Sequence, residues 1–321
     1  MADIYTINRN NIGQVLAKLT LGFKNAAYVG DNLFPEVPVP AMSGSIPIDD
    51  SQDFIVIDGE QDIRARGKQV LISNEYAEYV LSQFIYESQK TDHEIDDMRA
   101  FGQTDIAGGG GFFFDFERRL VTKMANAAAL QRELAQGTLA SDTGNYPAAH
   151  VITPTDDWAD QATVVPADFA IAQDTMLEVV GVYANRALIS HDVFSVLKTH
   201  ESIREYLKYT TPGMTTLQAL AQMMEVEQLF VGAARYRLDA IADTIPIWDN
   251  TCIFFYQPAA QGTTEPEPRY GATLRYQGYP KTFAEHQFPN YFKWALIDLY
   301  GVKLMPAPAG VIFDEPIEPQ M

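Results

Sequence analysis

The chain has 321 residues, 47% of them apolar, and a formal net charge of −19. That length and apolar fraction exclude a disordered chain and allow one large or two medium domains. With 42 acidic against 23 basic residues, the chain is a poor candidate for gripping nucleic-acid phosphates, which takes clustered Lys and Arg, and its free subunits repel one another.

The N-terminus MADIYTINRN lacks a basic stretch followed by an apolar core, so no signal peptide is expected. No apolar run approaches the ~20 residues needed to span a bilayer. IGQVLAKLTLGF has helical spacing at Ile12, Val15, Leu16 and Leu19. In LFPEVPVPAMSGSIP, Pro35, Pro38, Pro40 and Pro47 forbid a helix and favour extended chain. Such an arm cannot bury itself and must lie on something else.

The stretch VIDGEQDIRARGKQV carries a charge at every even position from 58 to 68, three acidic and then three basic. Side chains spaced by two share one face of a strand. Folding symmetrically about Ile63 sets Asp58 against Lys68, Glu60 against Arg66, and Asp62 against Arg64. Each such pair contributes only ~0.2–1 kcal/mol, but together they fix register. The pattern fits either a solvated hairpin or a long ribbon that docks on another subunit, since a lone two-stranded hairpin is marginal in water. Asp58-Gly59 is a competing turn signal that would change the register.

YAEYVLSQFIYESQKTDHEIDD is ambiguous between helix and strand. After a glycine run at Gly108–Gly111, Phe116, Leu120, Met124, Ala127 and Leu134 recur at helical spacing and predict a long helix over about 113–136, ended by Gly137. Beyond Pro166 helices and strands alternate. ADFAIAQDTMLEVVGVYA, HDVFSVLKTH, ESIREYLKYT and TTLQALAQMMEV read as helices, and RALIS and EQLFVGAARY as strands. IWDNTCIFFYQPA reads as a strand pair with an Asp-Asn turn, and QGTTEPEPRYG as a loop. The tail FKWALIDLYGVKLMPAPAGVIFDEPI reads as two strands around a Pro-Ala-Pro turn.

Candidate chemistry is thin. Ser190, His191 and Asp192 contain the residue types of a hydrolase triad, but adjacent residues cannot converge as that relay requires. Ser190 reads better as a helix N-cap, with Asp192 in the first turn. Gly108–Gly111 is followed by neither the Lys nor the Ser/Thr of a phosphate loop, and reads as a hinge. Asp92, His93, Glu94, Asp96 and Asp97 lack the second His of a zincin helix and read as a solvated acidic turn. His93, His150, His191, His200 and His286 have no ligand spacing. The single cysteine, Cys252, excludes an intrachain disulfide and a Cys-based zinc cluster, and it and Met223-Met224 read as core. No catalytic residue, metal or cofactor is expected.

The order of these pieces resembles the major capsid proteins of tailed double-stranded-DNA bacteriophages, with the Hong Kong 97-type capsid fold. LFPEVPVP follows an N-terminal apolar segment, and DFIVIDGEQDIRARGKQVLIS stands where the family has its extended loop. FDFERRLVTKMANAAALQRELAQG is similar to the spine helix, and GVYANRALISHDVFSVLKTHESIREYLKYT to the helix-strand-helix run of the axial domain. EVEQLFVGAARY, IWDNTCIFFYQPAA and RYGATLRYQG follow in the family's order. The likeness covers nearly the whole chain and rests on order and spacing rather than on one strict motif.

The resemblance implies an α+β fold with an N-terminal arm at 1–47 and an extended β-hairpin loop at 48–74. A peripheral domain with the spine helix would combine 75–165 and 273–321, and an axial domain would occupy 166–272. It implies hexamers and pentamers closing into an icosahedral head in the virion, assembled in the host cytoplasm around DNA that is not bound by sequence. Any scaffold would be a separate protein, because the chain begins almost directly at the arm with no long coiled-coil prefix; a portal would be a further partner, decoration proteins are left open, and no membrane is involved. The candidate intersubunit residues are Asp58, Glu60, Asp62, Arg64, Arg66 and Lys68 in the loop and Phe34 and Pro35 in the arm. Some family members crosslink through a Lys and an Asn; Lys68 lies in the loop, but no partner is identifiable and that chemistry is not carried over. An encapsulin-like nanocompartment shell is a second reading of the same fold, and a cytoplasmic hydrolase using His191 or Asp192 is a third.

Overall fold

The computed structural model describes residues 28–48, 75–96, 111–207, 217–238, 243–258, 268–287, 290–306 and 308–317. The predicted helix at 12–19, the charged stretch 58–68, Gly108–Gly110 and most of the 261–271 loop lie outside them.

Two five-stranded sheets form the body. The first is built on β13 (Tyr291–Leu304), whose 14 residues alternate across its faces. On one side β13 pairs with β4 (Ser82–Thr91). On the other it pairs in turn with β12 (Lys281–Gln287) and β11 (Gly271–Tyr276), which run along it as one line interrupted at 277–280. Gly278 makes that interruption possible with a left-handed φ of 82°. β1 (Glu36–Val39) closes the sheet by pairing parallel to β11. The ambiguous stretch is thus strand as far as Thr91, because β13 offers β4 a full ladder from Tyr291↔Thr91 to Tyr300↔Ser82, and it turns helical over 92–96.

Across this sheet lies α2 (Gly111–Ser141), 31 residues and ~46 Å long. Its Val121, Met124, Ala125 and Ala128 pack on Trp294 and Leu296 of β13. The helix runs past the predicted stop at Gly137. A Cβ there would collide with the side chain of Ile247 and sit 3.2 Å from its carbonyl oxygen, so this glycine serves close packing rather than capping.

The second sheet has the order β5 (Val151–Ile152), β14 (Gly310–Phe313), β10 (Cys252–Phe255), β6 (Arg186–Ser190), β7 (Gln228–Gly232). β10 and β14 are buried at every residue, as continuous apolar runs covered on both faces must be. One face packs Phe254, Phe313 and Cys252 against α3 (Val165–Val180), α4 (His191–Thr199) and α6 (Leu217–Met223). The other packs Phe255, Ile253 and Ile312 against Tyr146, Trp248, Tyr270 and the far end of α2. α3 ends at Gly181 in the left-handed region, short of the GVYA that its sequence reading carries into the helix. α5 (Glu201–Leu207) follows α4 directly.

The predicted IWDNTCIFF strand pair is not one. β9 (Ile245–Pro246) pairs with β8 (Arg235–Tyr236), whereas β10 goes to the second sheet. The two tail strands lie in different sheets: β13 pairs with β4, β11 and β12, whereas β14 pairs with β10 and β5. Val311 and Phe313 of β14 share one core with Ile152 and Trp158, while Ile312 on its other face shares a second with Leu304 of β13.

Candidate functional site

For a chain with no convergent chemistry, the functional parts are the places where the arm and the loop leave the body. The root of the arm is held by α1 (Gly30–Leu33) and by β1. Glu133, at 1% exposure, accepts hydrogen bonds from the backbone N–H of Val29 (3.0 Å) and Gly30 (2.9 Å) and from Trp248 Nε1 (2.7 Å). Burial raises its pKa, and those three hydrogen bonds pull it back down. A Cβ on Gly30 would collide with the ends of the Gln136 and Glu133 side chains, so a larger residue here would have to push aside the groups that hold the arm's root. Asp31 accepts from Arg132 (3.2 Å) and Gln136 (3.0 Å). Gln136 also donates to Thr273 Oγ1 (2.9 Å), whose hydroxyl donates to the Phe34 carbonyl (2.9 Å).

Phe34 and Pro35, expected to touch a neighbouring subunit, are buried in their own. Phe34 is 0% exposed, lies against Gly271 and is tilted on Tyr270 with ring centroids 5.3 Å apart. The Pro35 carbonyl accepts from the N–H of Thr273 (3.0 Å). The apolar ring is better satisfied in this ready-made slot than at a surface. Just beyond, Arg275 bridges Glu36 (2.5 Å) and the buried Asp298 (3.2 Å), tying β1 to two strands of the first sheet.

The loop's two ends are set by β2 (Ser43–Ile48) and β3 (Glu75–Val80), an antiparallel ladder from Ser43↔Val80 to Ile48↔Glu75. The segment between them therefore leaves and returns at one place. One face of the ladder, with Ala77, Ile46 and Tyr79, rests on the body. The other exposes Tyr76 (59%) and Val80 (75%), with Met42 beside them. The six charged candidates, Asp58, Glu60, Asp62, Arg64, Arg66 and Lys68, lie outside the described residues.

The remaining candidates have structural roles. Ser190 is fully buried and caps α4, accepting from the N–H of Val193 (3.2 Å), while His191 and Asp192 face solvent. The acidic turn is a capping box: Glu94 accepts from the N–H of Thr91 (3.0 Å), and the N–H of Glu94 donates to Thr91 Oγ1 (3.4 Å). Asp92 pairs with His286 at 2.8 Å. Cys252 is fully buried, and burial pushes its thiol pKa far up. Among the described residues no group of three or more His, Cys, Asp or Glu could hold a metal ion, and no helix is long and apolar enough to cross a membrane. Sequence reasoning missed Glu133. Its signal was a carboxylate on the helix face that otherwise carries Leu130, Leu134 and Ala140 into the core.

No protein-family model matches the chain. Over 275 residues, 84% of this chain and 85% of the relative, it is 26% identical to the major capsid protein of Burkholderia phage BcepMu. The crystal structure of a phage-related protein from Bordetella bronchiseptica RB50 matches with a TM-score of 0.73 at 21% identity, covering 95% of this chain and 97% of that one. The mature capsid of bacteriophage PhiM1 matches with a TM-score of 0.52 at 12% identity, covering 91% and 88%. The architecture is the Hong Kong 97-type capsid fold. With the sequence relationship over most of its length, the chain is similar to a phage major capsid protein, and the likeness supports a structural capsid subunit of the virion.

Proposed function

We propose that copies of this chain form hexamers and pentamers that close an icosahedral head around double-stranded DNA, with no catalytic activity of their own. A separate scaffold and a portal complete the assembly. The observation that carries this reading is the β2–β3 ladder. One face of this two-stranded ribbon rests on its own body, and the other leaves Tyr76 and Val80 open to solvent, an apolar face that gains stability by resting on another surface. In a shell that surface is a neighbouring copy, so the 49–74 loop and its six alternating charges belong at the contact between subunits. A charge of −19 also suits a container, because a wall that gripped phosphate would obstruct packing and release of the genome. The burial of Ser190 as a helix cap speaks against a hydrolase built on His191 or Asp192.

Electron microscopy of the purified, expressed chain tests this. Closed shells, tubes or capsomer rings are the expected result. A chain that remains a single compact particle at high concentration refutes it.

A further inference from the structure

One histidine joins two helices and a loop. His200 ends α4, where its N–H donates to the Leu197 carbonyl (3.3 Å), and starts α5, where its own carbonyl accepts from the N–H of Arg204 (3.1 Å). Its backbone is extended, with φ −64° and ψ 134°, as at a helix N-cap. The side chain is fully buried and both ring nitrogens are engaged. Nδ1 lies 3.3 Å from the backbone nitrogen of Ser202 and 2.8 Å from its Oγ. A backbone N–H only donates, so Nδ1 is an acceptor and takes the place of the usual capping oxygen. Nε2 lies 2.8 Å from the carbonyl oxygen of Asp160, which only accepts, so Nε2 carries the hydrogen. These partners fit the neutral imidazole in a single tautomer.

A second proton on the ring goes to Nδ1. The Ser202 hydroxyl can then reverse and accept from it, but the Ser202 N–H cannot, and two hydrogens would face each other at the start of α5. The Nε2 contact with Asp160 survives, so the ring stays with the loop and lets go of the helix. The loop itself is anchored elsewhere: Trp158 is fully buried, its backbone N–H donates to the Pro316 carbonyl (3.0 Å), and its Nε1 donates to Asp168 of α3 (2.7 Å). What then remains on the first turn of α5 is the N–H of Glu201 donating to Gln161 Oε1 (2.9 Å) and the burial of Ile203 in the core that holds Trp158. The charged groups on the surrounding elements are Lys198 on α4, Glu201, Arg204 and Glu205 on α5, Asp168 on α3, and Asp157 and Asp160 on the loop. Asp157 and Asp160 turn their carboxylates onto the N–H groups of Ala159 and Ala162.

We propose that His200 is a proton-operated cap: taking up a second proton turns Nδ1 from acceptor to donor, uncaps α5 and frees its first turn, while the loop and the two sheets stay in place. The capped arrangement binds one proton fewer than the uncapped one. The cap is therefore present at neutral pH and is lost as pH falls, with a shift of up to about tenfold per pH unit. The device follows from contacts within one chain and does not depend on assembly.

Amide hydrogen exchange of the full chain between about pH 7.5 and about pH 5, corrected for the intrinsic rate, tests this; imidazoles take up their second proton over that interval. The first-turn amides of α5 should lose at least about tenfold of their protection, while those of β6 and β10 keep theirs. In His200→Asn the side-chain oxygen can still cap α5 and nothing there titrates, so the protection of α5 should stay level across the interval. Exchange of the imidazole C2 hydrogen, read by mass spectrometry in the same samples, follows the titration of His200 itself, and its midpoint should coincide with the opening of α5. Level protection in wild type, an opening that persists in His200→Asn, or an opening whose midpoint departs from that of the ring overturns the proposal. Should His200→Asn fail to fold, the two wild-type midpoints decide it.

Discussion

Glu133 is a carboxylate placed where helical spacing calls for an apolar residue, and the structure explains it by what it holds. Three N–H donors from two distant parts of the chain end on its two oxygens. Glu133→Gln turns an amide N–H₂ toward one of these donors and leaves it unpaired. Its expected cost is about 1–3 kcal/mol in denaturant unfolding; a variant as stable as wild type would show that the arm's root is held by packing alone. Asp298 presents a different case. Its Oδ1 is buried with no partner among the described residues, and burial raises its pKa while Arg275 and Arg132 pull it down. A carboxyl whose folded pKa lies above the unfolded one contributes stability at pH below ~4, and loses it as pH rises through the folded value. The stability advantage of wild type over Asp298→Asn should therefore shrink as pH is raised through that window. An advantage that grows with pH would mean that the folded chain favours the ionised form.

At the scale of elements, α2 joins the two sheets, resting on Trp294 and Leu296 at one end and beside Tyr146 and Trp248 at the other. Gly137 sits where it passes Ile247. In an exposed helix interior Gly→Ala would gain about 1 kcal/mol. Here the added methyl must displace Ile247, at about 1–3 kcal/mol, so Gly137→Ala should lower the unfolding midpoint, and a raised midpoint would show that the site has room. The same residue explains why the helix outran its predicted end: glycine at a helix terminus and glycine at a close crossing look alike in one dimension. RALIS and the paired CIFF and GVIF runs were readable as strands because strands covered on both faces are apolar throughout. Their partners were not readable, since β10 pairs with β6 and β14, each about 60 residues away.

For the whole molecule, charge opposes assembly and apolar contact favours it. A subunit of net charge −19 repels its copies over a Debye length of ~10 Å at 0.1 M salt. Raising salt from about 0.05 to about 0.5 M shortens that length and should lower the protein concentration at which light scattering first reports assembly. A threshold that rises with salt would mean that attractive ion pairs, rather than exposed side chains such as Val80 and Leu238, dominate the contacts.

The sequence by itself determined an acidic, cysteine-poor chain with a proline-rich arm, a long helix and alternating elements, properties of composition and local period that a linear string carries in full. The class of molecule came from the resemblance of their order to that of capsid subunits. Only the tertiary structure decided that Phe34 and Pro35 turn inward, that β13 and β14 part into different sheets, and that Glu133 holds the arm's root. Each depends on a slot or a donor supplied by residues about 60 to 240 positions away in the chain, and burial in such a slot is a property of the folded surroundings that no local pattern encodes.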